Sequence, residues 1–445
     1  MEISGDGIAD VALKQFASWE KKRKPLTRTN GVKEWVPFSG IVVQEKNSNK
    51  LTCLAAATGM KCLPQKHIAK AQGVILHDWH AEILAIRSFN RFLLDECLAL
   101  LNSEKKSSQY LRLREEHERT EMDFQPFALI DGLDIHMYCS EAPCGDASME
   151  LIMSQQEDST PWDLPTPSNT STSTSPPTTS TDPPTLHGRG YFSHLGITRR
   201  KPSRPDAPPT LSKSCTDKLA STQSTSLLSS LTSLLISPQN MYLTSLILPS
   251  SQLSNIAVTR AFSPSGRLKP LQGKTWGGGY TFTPFRVLST EREFEHSRRS
   301  GKGGEKVASN LASSWTRYGS ETVIGGTLQG RKQGDVRGAS RVCKRRMWRV
   351  ALEVAVRAGV PLVEGVLRQR RYGDVKGGML LEGRRRVKGD VRGVMGVLRQ
   401  RRYGDVKGGM LLEGRRRVKG DVRGVMGGWV RNEGDEEFGV EGVDV

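Results

Sequence analysis

The sequence predicts an α/β fold built in layers, on two observations. In the first 153 residues, runs rich in β-branched and apolar residues alternate with runs at helical spacing, a β-α-β-α order. The 445-residue chain also carries 36% hydrophobic residues and eight Trp, enough for a real core but below the globular average. That shortfall predicts a substantial unstructured fraction.

The elements follow in order. Residues 5–24 read as an amphipathic helix, with Ile8, Val11, Ala12, Phe16 and Trp19 recurring at helical spacing and KKRK at positions 21–24. EWVPFSGIVVQ (34–44) and LTCLAAATGMKCL (51–63) read as strands separated by a polar turn. A helix is expected from Ala81 to Leu101, carrying Ile83, Leu84, Ile86, Phe89, Leu93 and Leu94. The stretch 127–153 reads as strand, loop and helix. Residues 154–210 are rich in Ser, Thr and Pro and cannot bury enough apolar surface to order themselves, which predicts a disordered insertion. After 211 the texture is globular again, with SLLSSLTSLLISPQNMYLTSLIL (226–248) expected as a helix followed by a strand, and a loose loop expected over 290–305. GVLRQRRYGDVKGGMLLEGRRRVKGDVRGVM stands at 365–395 and again, letter for letter, at 396–426. Two copies are too few for a solenoid. One is expected to pack on the core and the other to loop out.

Formal charge is +18, from 65 Lys and Arg against 47 Asp and Glu, which favours a polyanionic partner. The seven cysteines show no disulfide-like clustering. Neither a signal-peptide pattern nor a membrane-length apolar run is present, so an intracellular chain with reduced thiols is expected, in nucleus, cytoplasm or both. KKRK fits a nuclear signal or a solvated helix end. No obligate protein partner is evident.

HDWHAEILA (77–85) places His80 and Glu82 two positions apart at the mouth of a helix. Lone H-x-E triplets also occur in ordinary surface turns. A catalytic zinc needs three protein ligands and an open position for water, so His80 needs two partners. Cys144, in APCGDA, follows a proline and precedes a helical pattern, where a thiol pKa is lowered. H-x-E followed by P-C is the zinc deaminase signature, in which the glutamate moves protons without binding metal. Position 147 is Ala, so the simple P-C-x-x-C version is excluded. The best third ligand is Cys215 in SKSCTDKLA; Cys139 is nearer in sequence but lies in a strand. Cys53, Cys62 and Cys97 read as buried small hydrophobes.

Together, DWHAE, APCGDAS, RRKP…LSKSCTDKLA, GRKQGDVRGASRVCKRRMW and GGWVRNEGDEEF resemble the adenosine-to-inosine editase family, which holds the adenosine deaminases acting on RNA and the tRNA-specific adenosine deaminases. The resemblance is closest to the fungal tRNA type and runs from about residue 5 to the C-terminus. It implies a cytidine-deaminase-like three-layer α/β core with a C-terminal elaboration. The deaminase domain would occupy 1–153 and 211–364, interrupted by 154–210, then carry the duplication at 365–426 and end in 427–445. One zinc would be held by His80, Cys144 and Cys215, with Glu82 as the proton carrier in hydrolytic deamination of adenosine in tRNA, in the anticodon loop. The family also implies a buried inositol hexakisphosphate. Matching positions are Asp78, Arg87, Lys218, Lys344 and Trp429, with either Tyr372 and Lys376 or Tyr403 and Lys407 supplying a Tyr-x-x-x-Lys element; Tyr403 and Lys407 are preferred for nearness to Trp429. Lys61 is the expected substrate contact. Met60, Ile86 and STQSTS after Lys218 depart from the family pattern and put parts of the cage in question. A nucleoside or cytidine deaminase and a non-catalytic RNA-binding relic are the alternatives.

Overall fold

The computed structural model describes residues 4–103, 107–154, 186–187, 194–201, 207–300, 305–377, 411–429 and 431–440. An eight-stranded mixed sheet forms the centre. From one edge it runs Arg286–Thr290, Leu243–Pro249, Leu133–Cys139, Phe38–Glu45, Leu51–Thr58, Ala312–Thr316, Gly319–Ile324 and Thr327–Leu328. The first three strands are parallel to one another and every later pairing is antiparallel.

The central strands are apolar at successive positions because both faces are covered. On one face Val42, Ala56, Tyr138 and Ile247 pack with Ile8, Ala12 and Phe16 of α1 (Gly5–Ala17). On the other, Ile41, Ala55, Ala57 and Met137 pack with Leu84, Ala85, Phe89 and Phe92 of α2 (Ala81–Asn102). The result is helix, sheet, helix. α1 stops at Ala17, short of the expected residue 24, and Lys21–Arg23 form a separate 3₁₀ turn.

Short α3 (Met149–Met153) ends the strand-loop-helix unit. Thr198, Arg199 and Lys201 are buried, so packed chain is present inside the 154–210 stretch that composition alone read as disordered. α4 (Cys215–Thr225) ends at Ser226, whose φ is 60°. The helix expected just after it is not formed. Residues 227–236 instead follow an irregular path with one 3₁₀ turn, Thr232–Leu234. The reason is burial on all sides: Leu227, Leu228, Leu231, Leu234, Leu235 and Ile236 are all in the core. The side chain of Asn90 on α2 supplies the polar partners, donating to Leu227 O and accepting from Ser229 N and the Thr232 hydroxyl.

α5 (Asn255–Phe262) precedes the sheet's edge strand. α6 (Lys344–Arg357), α7 (Pro361–Leu367), α8 (Tyr372–Gly377) and α9 (Glu413–Met426) form the C-terminal elaboration. The duplication packs differently from the expected arrangement. The first copy supplies α8, the second supplies α9, and residues 378–410 lie outside the described residues. α8 is held by the C-terminal segment: Tyr372 stacks on Phe438 at 5.0 Å and its N–H donates to Phe438 O. α9 is held by Asp421, which accepts from Lys274 and the Trp276 indole at 3.0 Å each.

Candidate metal centre

α2 begins where three chain segments meet. His80 is its N-cap residue, and the His80 N–H donates to Asp78 Oδ1 at 3.0 Å. Two glycines allow the close approach. Gly59 takes a φ of 146° and accepts at its carbonyl from the Ala81 N–H, and a side chain there would strike Trp79 O. Gly145 takes a φ of 107°, and a Cβ would collide with Ser214.

Across this junction His80 Nδ1 lies 3.9 Å from Cys144 Sγ and 3.6 Å from Cys215 Sγ. The Cys215 N–H donates to Cys144 Sγ at 3.3 Å. One imidazole and two thiols from three segments, with ligand atoms within 4.8 Å of one another, make a site that can hold a metal ion. The sulfurs share a proton unequally. Cys144 is held well below the usual thiol range, first by the hydrogen bond from Cys215 and then by the charges of Lys201 and His80. Burial and the Cys144 sulfur push Cys215 up. A divalent cation here would displace that remaining proton. Glu82 stands in the first turn of α2, 5% exposed. Burial and then the Cys144 charge raise its pKa above 4.5, the proper state for a group that must hold and release protons.

Behind the ligands sits a buried acid. Asp78 accepts from Lys201 Nζ at 2.8 and 3.1 Å, from the Ser212 hydroxyl at 2.7 Å, and from Lys218. Burial alone would raise its pKa, but Lys201 and Lys218 carry it well below 3.8. Lys201 also donates to Cys215 Sγ at 3.2 Å, so it joins the acid directly to a candidate ligand. The expected Asp78–Lys218 pair is therefore present, with Lys201 as a third member that the sequence reading did not single out. Its signal was available, since RRKP was among the stretches carrying the resemblance. Cys62 also departs from expectation. It is half-buried rather than core, bridges to Asp78, and lies within reach of Asp78 and His80. Asp78 is saturated by two ammoniums and a hydroxyl, so these three do not form a second metal site.

On the far side of Lys218 the cations multiply. Lys213 lies over the Trp429 ring at 4.8 Å, and burial first, then Lys218 and Arg423, lower its pKa to about 7. Lys419 of α9 donates to Ser230 Oγ at 3.2 Å; burial and the charges of Arg415, Lys376 and Arg423 press its pKa well below 10.5. Arg415 donates to Thr225 O at 2.7 Å, while among the described residues its buried Nε has no partner, nor has Arg87 Nε. Lys344 lies 5.7 Å over the Tyr372 ring and donates to Asp435 at 2.9 Å. Tyr372 is raised to about 12 by burial, within the field of Arg87 and Arg415. Tyr403 and Lys407 lie outside the described residues; the identical residues of the first copy, Tyr372 and Lys376, stand beside this cluster of cations. Ile86 packs partly buried against the core, and Met60 packs against the α1 side of the sheet. Lys61 is exposed and hydrogen-bonds Asn310.

Comparison with known proteins agrees with this geometry. The family described as the adenosine-deaminase (editase) domain matches residues 55–377, a span that includes His80, Glu82, Cys144 and Cys215. The chain is 38% identical to the tRNA-specific adenosine deaminase 1 of Schizosaccharomyces pombe over 349 residues, covering 77% of this chain and 84% of that protein. It is 30% identical to the protein of the same name from Saccharomyces cerevisiae over 238 residues, 51% of this chain and 54% of the other. A double-stranded RNA-specific editase of Drosophila melanogaster is 29% identical over 147 residues, 33% of this chain and 20% of its own length. Among the described residues, no helix is long and apolar enough to cross a membrane.

Proposed function

The chain belongs to the adenosine-deaminase (editase) domain family, and from that premise we propose that it hydrolyses adenosine to inosine in tRNA, in the anticodon loop. The observation that carries this is the convergence of His80, Cys144 and Cys215 beside the buried carboxyl of Glu82. His80, Cys144 and Cys215 would hold zinc, whose Lewis acidity activates water near neutral pH. Glu82 accepts the proton of the attacking water, returns it to N1 of the base, and assists departure of the amine. Water adds at C6 and ammonia leaves, so the atoms balance. The target base must leave its stack to reach a site at the end of a buried helix, which an unpaired loop allows most readily. Such a substrate places the chain inside the cell, in nucleus or cytoplasm.

The cage fits inositol hexakisphosphate. Its donors are ammonium, guanidinium, phenol and indole groups, and the charges acting on Lys419 are all cationic. Arg87, Lys213, Lys344, Lys376, Arg415 and Lys419 would hold the polyanion, with Tyr372 and Trp429 completing the wall. Lys218 connects it to the ligand shell, because its ammonium also contacts Asp78.

The test is paired. Zinc and inositol phosphate are measured on purified protein, and inosine is measured in a bulk tRNA pool with wild type and Glu82→Ala. The expected result is one zinc, one inositol hexakisphosphate, and inosine that falls by roughly 10²–10⁴-fold in the variant while zinc is retained. Inosine formed equally by Glu82→Ala would overturn the assignment.

A further inference from the structure

Cations outside the cage are gathered at a second place. The short strand Lys33–Trp35 pairs in parallel with Lys306–Ala308, in a register that sets Lys33 directly against Lys306. Like charges facing each other across a ladder are destabilising. Burial and then Lys33 lower the Lys306 pKa, while Glu141 acts to raise it. The loop that follows the central sheet's edge strand adds two more cations. Lys306 Nζ donates to Ser297 O at 3.0 Å and to Ser300, which fixes the turn bearing Arg298 and Arg299. Arg298 lies over the Trp35 ring at 5.9 Å, and Arg299 donates to Ser251 O at 2.7 Å.

The nearby acids offset this charge only in part, Glu141 lying in the field of Arg298, Arg299 and Lys306. Glu34 is engaged by Arg28 at 3.3 Å and by the Ser309 hydroxyl at 2.7 Å. Glu141, half-buried, accepts from the Arg298 N–H, while Glu293 accepts from the Ser251 hydroxyl. Among the described residues neither Lys33 nor Arg298 has an ion-pair partner within 4.0 Å. Glu305 is exposed beside them.

The position of this ridge gives it meaning. At one end Arg298 bonds Glu141, three residues before Cys144. At the other, the Ser309 N–H donates to Trp35 O, and the neighbouring Asn310 accepts from Lys61. The Lys61 carbonyl in turn accepts from the N–H of Trp79, adjacent to His80. The ridge therefore abuts two of the segments that deliver candidate ligands. We propose that Lys33, Arg298 and Arg299, positioned by the Lys33–Trp35/Lys306–Ala308 ladder and by the Lys306 ammonium that ties down their turn, bind the sugar-phosphate backbone of the RNA flanking the target base. This rests on the RNA-deaminase reading and deepens it: the chain grips its substrate beyond the catalytic pocket, through phosphates rather than base edges.

The test uses full-length protein and Lys33→Glu/Arg298→Glu, with Lys33→Gln/Arg298→Gln as the milder pair and thermal melting as the control for folding. A labelled tRNA is titrated at several salt concentrations, and inosine formation is measured alongside. Each lost phosphate contact should reduce the slope of log affinity against log salt by about 0.7–0.9, so the double variants should lose about 1.4–1.8. KM should rise by about tenfold or more at low salt, with the loss falling on KM rather than kcat. A folded double variant with the wild-type salt slope and KM overturns the ridge. Wild type that binds tRNA with a slope the variants reduce, yet forms no inosine, sinks the deaminase reading and keeps the ridge.

Discussion

At the scale of single residues, the site is organised by a buried carboxylate behind the candidate ligands. Asp78 gathers Lys201, Lys218, Ser212 and the His80 N–H, and each contact fixes something the chemistry uses. Lys201 is 2% exposed and has no water to fall back on. Asp78→Asn keeps the shape but leaves two ammoniums facing a neutral amide. Breaking a buried pair this way should cost about 3–5 kcal/mol in urea unfolding of the metal-free protein. Zinc affinity should also fall by about 10–100-fold, the usual effect of removing a partner behind a ligand. A loss of stability within about 0.5 kcal/mol would mean the network contributes nothing to the fold. His80, Glu82 and Cys144 were legible in the sequence because spacing and neighbouring residues mark them, and Cys215 through the family resemblance. Lys213 was not, since a lysine in a polar stretch looks solvated until the fold buries it, and Lys201 was marked only by the resemblance carried by RRKP.

At the scale of elements, the duplication yields one packed unit assembled from two copies. α8 comes from the first and α9 from the second. Tyr372 and Lys376 thus hold positions that Tyr403 and Lys407 would fill with no change of side chain. Deleting residues 378–408 leaves a single intact repeat, with every described contact of α8 and α9 retained. The deletion should fold with unchanged zinc content and inosine formation. A variant that is destabilised or loses its inositol phosphate would show that the second unit has a role of its own. The sequence revealed the repeat but not its division between α8 and α9, since identical letters carry no preference for one slot. The irregular 227–236 segment was misread for a related reason: a leucine-rich run buried on every side has no face from which to read a helical period.

At the scale of the whole molecule, charge and burial conflict in the C-terminal half. Lys419 has its pKa pressed well below 10.5 by burial and by Arg415, Lys376 and Arg423. Without a polyanion the unfolded chain therefore binds the extra proton between the lowered folded value and about 10.5. Stability contributed by this group rises with pH across that window and is lost as pH falls through it. Inositol hexakisphosphate would hold the ammonium protonated and flatten the dependence. Melting temperatures measured from pH 7 to 9, with and without added inositol hexakisphosphate, should show a rise with pH that the ligand suppresses, and Lys419→Met should remove the corresponding part of the rise. Identical slopes with and without the ligand would count against the cage. By itself the sequence determined the layered α/β class and the helix that carries His80 and Glu82, because periodicity and local motif chemistry are written in neighbouring residues; Cys215 joined that motif through the family resemblance. Only the tertiary structure decided that Lys201 reaches Cys215, that α8 comes from the first copy of the repeat and α9 from the second, and that Lys33 faces Lys306. Those facts depend on which distant segments share a boundary, and burial, not local sequence, sets the energy of a charge there.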